Sequence, residues 1–92
     1  MLKAEIYITL KTTVADPQGQ TIKHALDSLG YKDLADVRAG KLIIIKLSLK
    51  DKKRAEQQIN EMCKKLLANP VIEDYHFKIS EAPPLLKGRR HN

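Results

Sequence analysis

Tryptophan is missing from this chain of 92 residues, and three tyrosines and one phenylalanine are its only aromatic side chains. Proteins that hold single-stranded nucleic acid stack successive bases on aromatic rings, and 4% aromatic content leaves too few rings to build such a platform. Cysteine occurs once, at Cys63; an intrachain disulfide is therefore ruled out, and a lone thiol fits a reducing compartment, with the cytoplasm as the expected location. The four glycines, Gly19, Gly30, Gly40 and Gly88, are scattered, so no glycine-rich loop is available to cradle a phosphate. His24, His76, His91 and Cys63 form neither a Cys-x-x-Cys pair nor two histidines four apart, which removes the usual metal-ligand spacings. No apolar run approaches the ~20 residues of a membrane-spanning helix. Met1 to Leu10 alternates apolar and polar residues, unlike the unbroken apolar stretch of a secretory signal.

What remains is a chain with 42% hydrophobic and 30% charged residues, inside the range of soluble globular domains. Its length allows one domain, expected over residues 1–82, with a core modest enough that a partner subunit would add stability. Net charge is +6, but Lys87, Arg89 and Arg90 supply half of it, leaving +3 over residues 1–82. That is a weak footprint for nucleic acid, whose binding depends on clustered cations. Residues 83–92 are expected to be a basic, flexible C-terminal tail.

Leu2, Ala4, Ile6, Ile8 and Leu10 alternate with polar residues or Tyr7, a period of two that predicts a strand with one aliphatic face. Asp16 followed by Pro17 predicts a helix start. Ile22, Ala25, Leu26 and Leu29 then recur at i, i+3, i+4 and i+7, and Gly30 supplies the stop. Leu34 to Ala39 reads as a weak strand joined to Leu42–Leu49 by a turn at Ala39-Gly40-Lys41, with one long strand bent at Gly40 as the alternative. A second helix is expected from Lys52 to Ala68, capped by Asp51, with Ala55, Ile59, Met62, Cys63 and Leu66 on one face. Asn69-Pro70 ends it, and Val71 to Ile79 is the last strand.

The predicted fold is α+β, in β-α-β-β-α-β order: an antiparallel sheet with two helices on one face, as in ferredoxin-like topologies, extended or packed in a dimer. Tyr7 and Ile44 lie on second strand faces that carry large apolar groups, and such a patch marks an interface. Cys63, on the apolar stripe, reads as a buried inert thiol. His24 falls outside its helix stripe and reads as a surface residue. The cations of Lys50-Asp51-Lys52-Lys53-Arg54 oppose the helix dipole and read as a solvated helix end. The strand order also suits an RNA-binding or small ligand-sensing module, but Leu42–Leu49 has no aromatic on which a base could stack.

Three segments resemble the PurS family, the small subunit of phosphoribosylformylglycinamidine synthase in purine synthesis: Asp16-Pro17-Gln18-Gly19 with its helix to Tyr31, Val37-Arg38-Ala39-Gly40-Lys41, and Met62 to Tyr75. With the opening strand they span about residues 3–79. The resemblance implies a subunit that joins a glutaminase to a synthetase, the latter using ATP and magnesium to amidate formylglycinamide ribonucleotide. It implies no catalytic residue or cofactor on this chain. The charge and hydropathy set out above argue against a nucleic acid or membrane partner, and the apolar second strand faces, with the modest core, predict a homo-oligomer of at least two copies. Arg38, Lys41, Asn69 and Tyr75 lie in the matched segments and, with Ile44 and Tyr7, are the candidate interface residues.

Overall fold

The computed structural model describes residues 1–82; the expected tail at 83–92 lies outside the described residues. The element order is β1 (Leu2–Leu10), α1 (Pro17–Ser28), β2 (Gly40–Leu47), α2 (Lys52–Met62) and β3 (Glu73–Glu81), with α2 continuing as a π-helical segment over Cys63–Leu67. The sheet has three antiparallel strands in the order β2-β1-β3. The expected α+β class and antiparallel sheet are present, with one strand fewer.

β1 is central because both of its backbone edges are paired. Leu2, Ala4, Ile6 and Ile8 are almost completely buried on one face. Register places Ile43, Ile45 and Leu47 of β2 and Tyr75, Phe77 and Ile79 of β3 beside them. α2 covers this face with Ala55, Ile59 and Cys63, each fully buried, and Met62 and Leu67 pack at the margin. Every aliphatic of β1 on that face thus contributes transfer free energy at about 25 cal/mol per Å² of apolar area removed from water.

The segment Leu34–Ala39 is no strand, and there is no hairpin at Ala39-Gly40-Lys41 and no long bent strand. Two of its backbone donors go to carboxylates instead of a ladder: Val37 N–H donates to Asp36 Oδ1 at 3.0 Å and Ala39 N–H to Asp16 Oδ2 at 2.7 Å. β2 begins directly at Gly40. The last strand starts at Glu73 rather than Val71, because Val71 and Ile72 belong to a tight turn. In it Asn69 Oδ1 accepts from Val71 N–H at 3.0 Å, and the Asn69 carbonyl accepts from Glu73 N–H at 2.7 Å.

The two helices are not equivalent. α1 starts as expected, Asp16 accepting from Gly19 N–H and Pro17 in the first turn, and it ends at Gly30 with φ 104°. Among the described residues, though, only Gly19 of α1 is buried, and none of Ile22, Ala25, Leu26 and Leu29 joins the core. The expectation of two helices on one sheet face is corrected: α2 lies over β1 and β3, while α1 packs on no strand to a comparable extent.

Candidate subunit interface

The residues nominated from the sequence fall into three places. Arg38, Lys41 and Asn69 gather around one end of the sheet, where β1 finishes and β2 and β3 begin. Arg38 Nη2 donates to the carbonyls of Lys11 at 2.9 Å and Val14 at 3.0 Å, fastening the segment before β2 to the segment after β1. Glu73 links the other two: one carboxylate oxygen accepts from Asn69 N–H at 2.7 Å, and the other lies 4.0 Å from Lys41 Nζ. Lys11 Nζ adds an ion pair with Asp74 at 2.8 Å. These pairs are largely solvated, so each is worth a fraction of a kcal/mol in stability; their effect is to hold polar groups in place on the surface.

Asp16 lies at the centre of this end and is almost wholly buried. One oxygen accepts from Gly19 N–H at 3.0 Å and the other from Ala39 N–H at 2.7 Å. The N–H groups of Gly19 and Ala39, with the Arg38 guanidinium nearby, hold its carboxyl below the ordinary carboxylate value, outweighing the burial that pushes the other way. Gly19 is required here for space: a Cβ would come within 2.2 Å of the Val37 carbonyl oxygen. Between these elements lies a cavity of about 210 Å³, lined by Thr9, Asp16, Gln18, Ala39, Lys41 and Glu73 among others.

Tyr7 and Ile44 occupy the second place, the open face of the sheet. Tyr7 stacks on His76 with ring centroids 4.8 Å apart, and Ile44 and Leu42 are each 52% exposed. The apolar surplus on this face is smaller than the sequence suggested, because Tyr75, Phe77 and Ile79 all turn toward α2. Tyr75 is the third place: half-buried on the helix face, it donates its hydroxyl to Asn60 Oδ1 at 2.6 Å.

Sequence reasoning took Asp16 for a helix cap only and passed over Glu73. Its second role could not be read from spacing, since Ala39 is 23 residues away. Cys63 is fully buried, and burial pushes its thiol pKa up, opposite to what a nucleophilic thiolate needs. His24 is exposed on α1, as expected. Among the described residues no group of three or more His, Cys, Asp or Glu side chains could hold a metal ion, and no helix is long and apolar enough to cross a membrane.

The family model for PurS, described as phosphoribosylformylglycinamidine (FGAM) synthase, matches residues 3–81. The chain belongs to the PurS family. It is 43% identical over 81 residues to phosphoribosylformylglycinamidine synthase subunit PurS of Bacillus subtilis, covering 88% of this chain and 95% of that relative. The crystal structure of Methanocaldococcus jannaschii PurS, one of the subunits of formylglycinamide ribonucleotide amidotransferase in the purine biosynthetic pathway, superposes with a TM-score of 0.81. Identity there is 41%, over 90% of this chain and all of that one. A chain in the structure of PurLQS from Thermotoga maritima matches with a TM-score of 0.77 and 27% identity, over 87% of this chain and 99% of that one. PurS members thus share the three-stranded sheet and two helices described above.

Proposed function

We propose that this chain is the noncatalytic small subunit of phosphoribosylformylglycinamidine synthase, bridging a glutaminase subunit and a synthetase subunit. The reaction converts formylglycinamide ribonucleotide to its amidine with ATP and glutamine. The observation that carries this reading is the match, over nearly the full length of both chains, to a member of the PurLQS assembly. The burial of Cys63 supports placing the chemistry on the partners. ATP and magnesium belong on the synthetase. Ammonia released at the glutaminase would be protonated and diluted in bulk water, so a subunit that holds the two active sites together and dry between them has a physical role.

The chain works in the cytoplasm as a homo-oligomer of at least two copies, with neither nucleic acid nor membrane as partner. The polar end of the sheet, with Arg38, Lys41 and Asn69, offers fixed hydrogen-bonding groups to a partner subunit, and Tyr7 and Ile44 offer an apolar contact. Tyr75 contributes through the hydroxyl it shares with Asn60 and its half-exposed ring. The test is reconstitution: adding this chain to the two partners creates glutamine-dependent amidation that the pair alone lacks. Full glutamine-dependent activity from the two partners without it would overturn the assignment.

A further inference from the structure

Strand pairing sets two lysines against each other on the open face of the sheet. Lys3 of β1 lies directly opposite Lys46 of β2, and Lys78 of β3, opposite Glu5, is diagonal to Lys3 on the other side. Opposed residues on antiparallel strands bring their Cβ atoms to about 5 Å, and like charges there destabilise the sheet. Glu5 reaches Lys78 at 3.9 Å. Among the described residues, however, no carboxylate forms an ion pair with Lys3 or Lys46, so their opposition has no compensation within the described chain.

From these lysines the face continues into an apolar strip. Ile44 and Leu42, each 52% exposed, lie beside Glu5 and Tyr7, and Tyr7 stacks on His76. An apolar centre with a charged margin is the anatomy of a contact between proteins. It suits a nucleic acid less well. The rings of Tyr7 and His76, on neighbouring strands, are 4.8 Å apart and 15° from parallel, so they stand up from the sheet with their edges to solvent and offer no flat platform to a base.

Charge also disfavours two other occupants. A second copy would bring to this face the carboxylates Glu5 and Asp74, already paired with Lys78 and with Lys11 at 2.8 Å, together with lysines of its own. The chain's own tail is of the wrong sign. Ala82 N–H donates to the Met1 carbonyl at 2.9 Å, so the described residues end beside Met1 at the lysine end of the sheet, and the sequence that follows carries Lys87, Arg89 and Arg90.

We infer that the open face of the sheet docks an acidic surface of a partner protein, which in the assembly proposed above is one of the other two subunits. Carboxylates of that partner lie over Lys3, Lys46 and Lys78, and its apolar side chains over Tyr7, Leu42 and Ile44. Docking relieves the repulsion between the lysines, and the opposite charges speed the encounter. This deepens the assembly reading and rests on it.

Lys46→Glu tests the inference, because a carboxylate opposite Lys3 mends the isolated chain and spoils the docking surface. The melting temperature of the chain alone is expected to rise by about 1–6 °C. Affinity for the glutaminase and synthetase pair, titrated with labelled full chain at low salt, is expected to fall by about tenfold or more, chiefly through slower association. Lys52→Glu, which changes net charge equally at the solvated start of α2, is expected to leave that affinity within about twofold. An unaltered chain that does not bind the pair would overturn the assembly reading and the docking with it. Equal affinity of Lys46→Glu and the unaltered chain would overturn the docking alone. So would an equal loss in Lys46→Glu and Lys52→Glu, which would make net charge the cause, or a melting temperature lowered by Lys46→Glu, which would show that the two lysines do not repel. A single-stranded RNA oligonucleotide bound more tightly than the pair, and lost on Lys46→Glu, would assign the face to nucleic acid and overturn it as well.

Discussion

α1 and α2 are helices of 12 and 11 residues, each capped by an aspartate and each carrying an apolar stripe, yet one closes the core and the other leaves its stripe in solvent. The local rules were obeyed equally in both. What separates them is where the chain is fastened. α2 follows β2 by a short connection that lays it across β1 and β3, whereas α1 is fixed at its first turn by Asp16 and the segment before β2. A stripe therefore reports that a helix wants a partner surface, and the tethering decides whether the chain itself provides one.

The sharpest way to break the comparison is to delete equivalent methyl groups from each helix. Ile59→Ala removes a fully buried side chain and is expected to cost about 2–5 kcal/mol in urea unfolding. A loss under about 1 kcal/mol would mean that α2 does not close the core.

The tether itself comes next. Asp16→Asn keeps the size of the side chain but removes the charge that accepts from Gly19 and Ala39. Its folded pKa lies below the ordinary 3.8, so the stability it contributes is fully present above about pH 4 and is lost as pH falls through the lowered folded value. The melting temperature of Asp16→Asn is expected to lie below that of the unaltered chain at pH 7, and the gap to close on acidification below that range. A gap independent of pH from 7 to 3 would show that the charge is not what holds the junction.

The smallest effect belongs to the exposed stripe. At concentrations too dilute for self-association, Leu29→Ala is expected to change stability by no more than about 0.5 kcal/mol. A loss comparable to that of Ile59→Ala would show that α1 is packed within its own chain.

Much of this was legible in the sequence, for reasons that differ by element. β1 could be read because its two faces meet different surroundings and the alternation survives over nine residues. The ends of α1 were marked by Asp16-Pro17 and Gly30, since capping depends on neighbours only. The false strand at Leu34–Ala39 shows the limit. Its fate was set by Asp16, whose carboxylate takes the Ala39 N–H from 23 positions away, and by Asp36 beside Val37.

Tyr75 was equally unreadable in its orientation. Val71 to Ile79 carries apolar groups in both alternating sets, and only the pairing with Ile8 puts Tyr75 toward Asn60. Among the interface candidates, the sequence nominated Arg38, Lys41 and Asn69 one by one; their meeting at one end of the sheet, with Glu73 linking two of them, depends on strand pairing that spacing does not show.

The central claim is that this PurS chain supplies assembly while its partners supply chemistry, and glutamine-dependent turnover of the reconstituted complex carrying Cys63→Ala tests it most directly. Removing the sulfur from a buried, inert site is expected to cost on the order of 1 kcal/mol in packing and to leave turnover within a few-fold of the unaltered complex, with equal assembly on a sizing column. A thousandfold loss of turnover with assembly intact is the signature of a deleted nucleophile and would contradict the account.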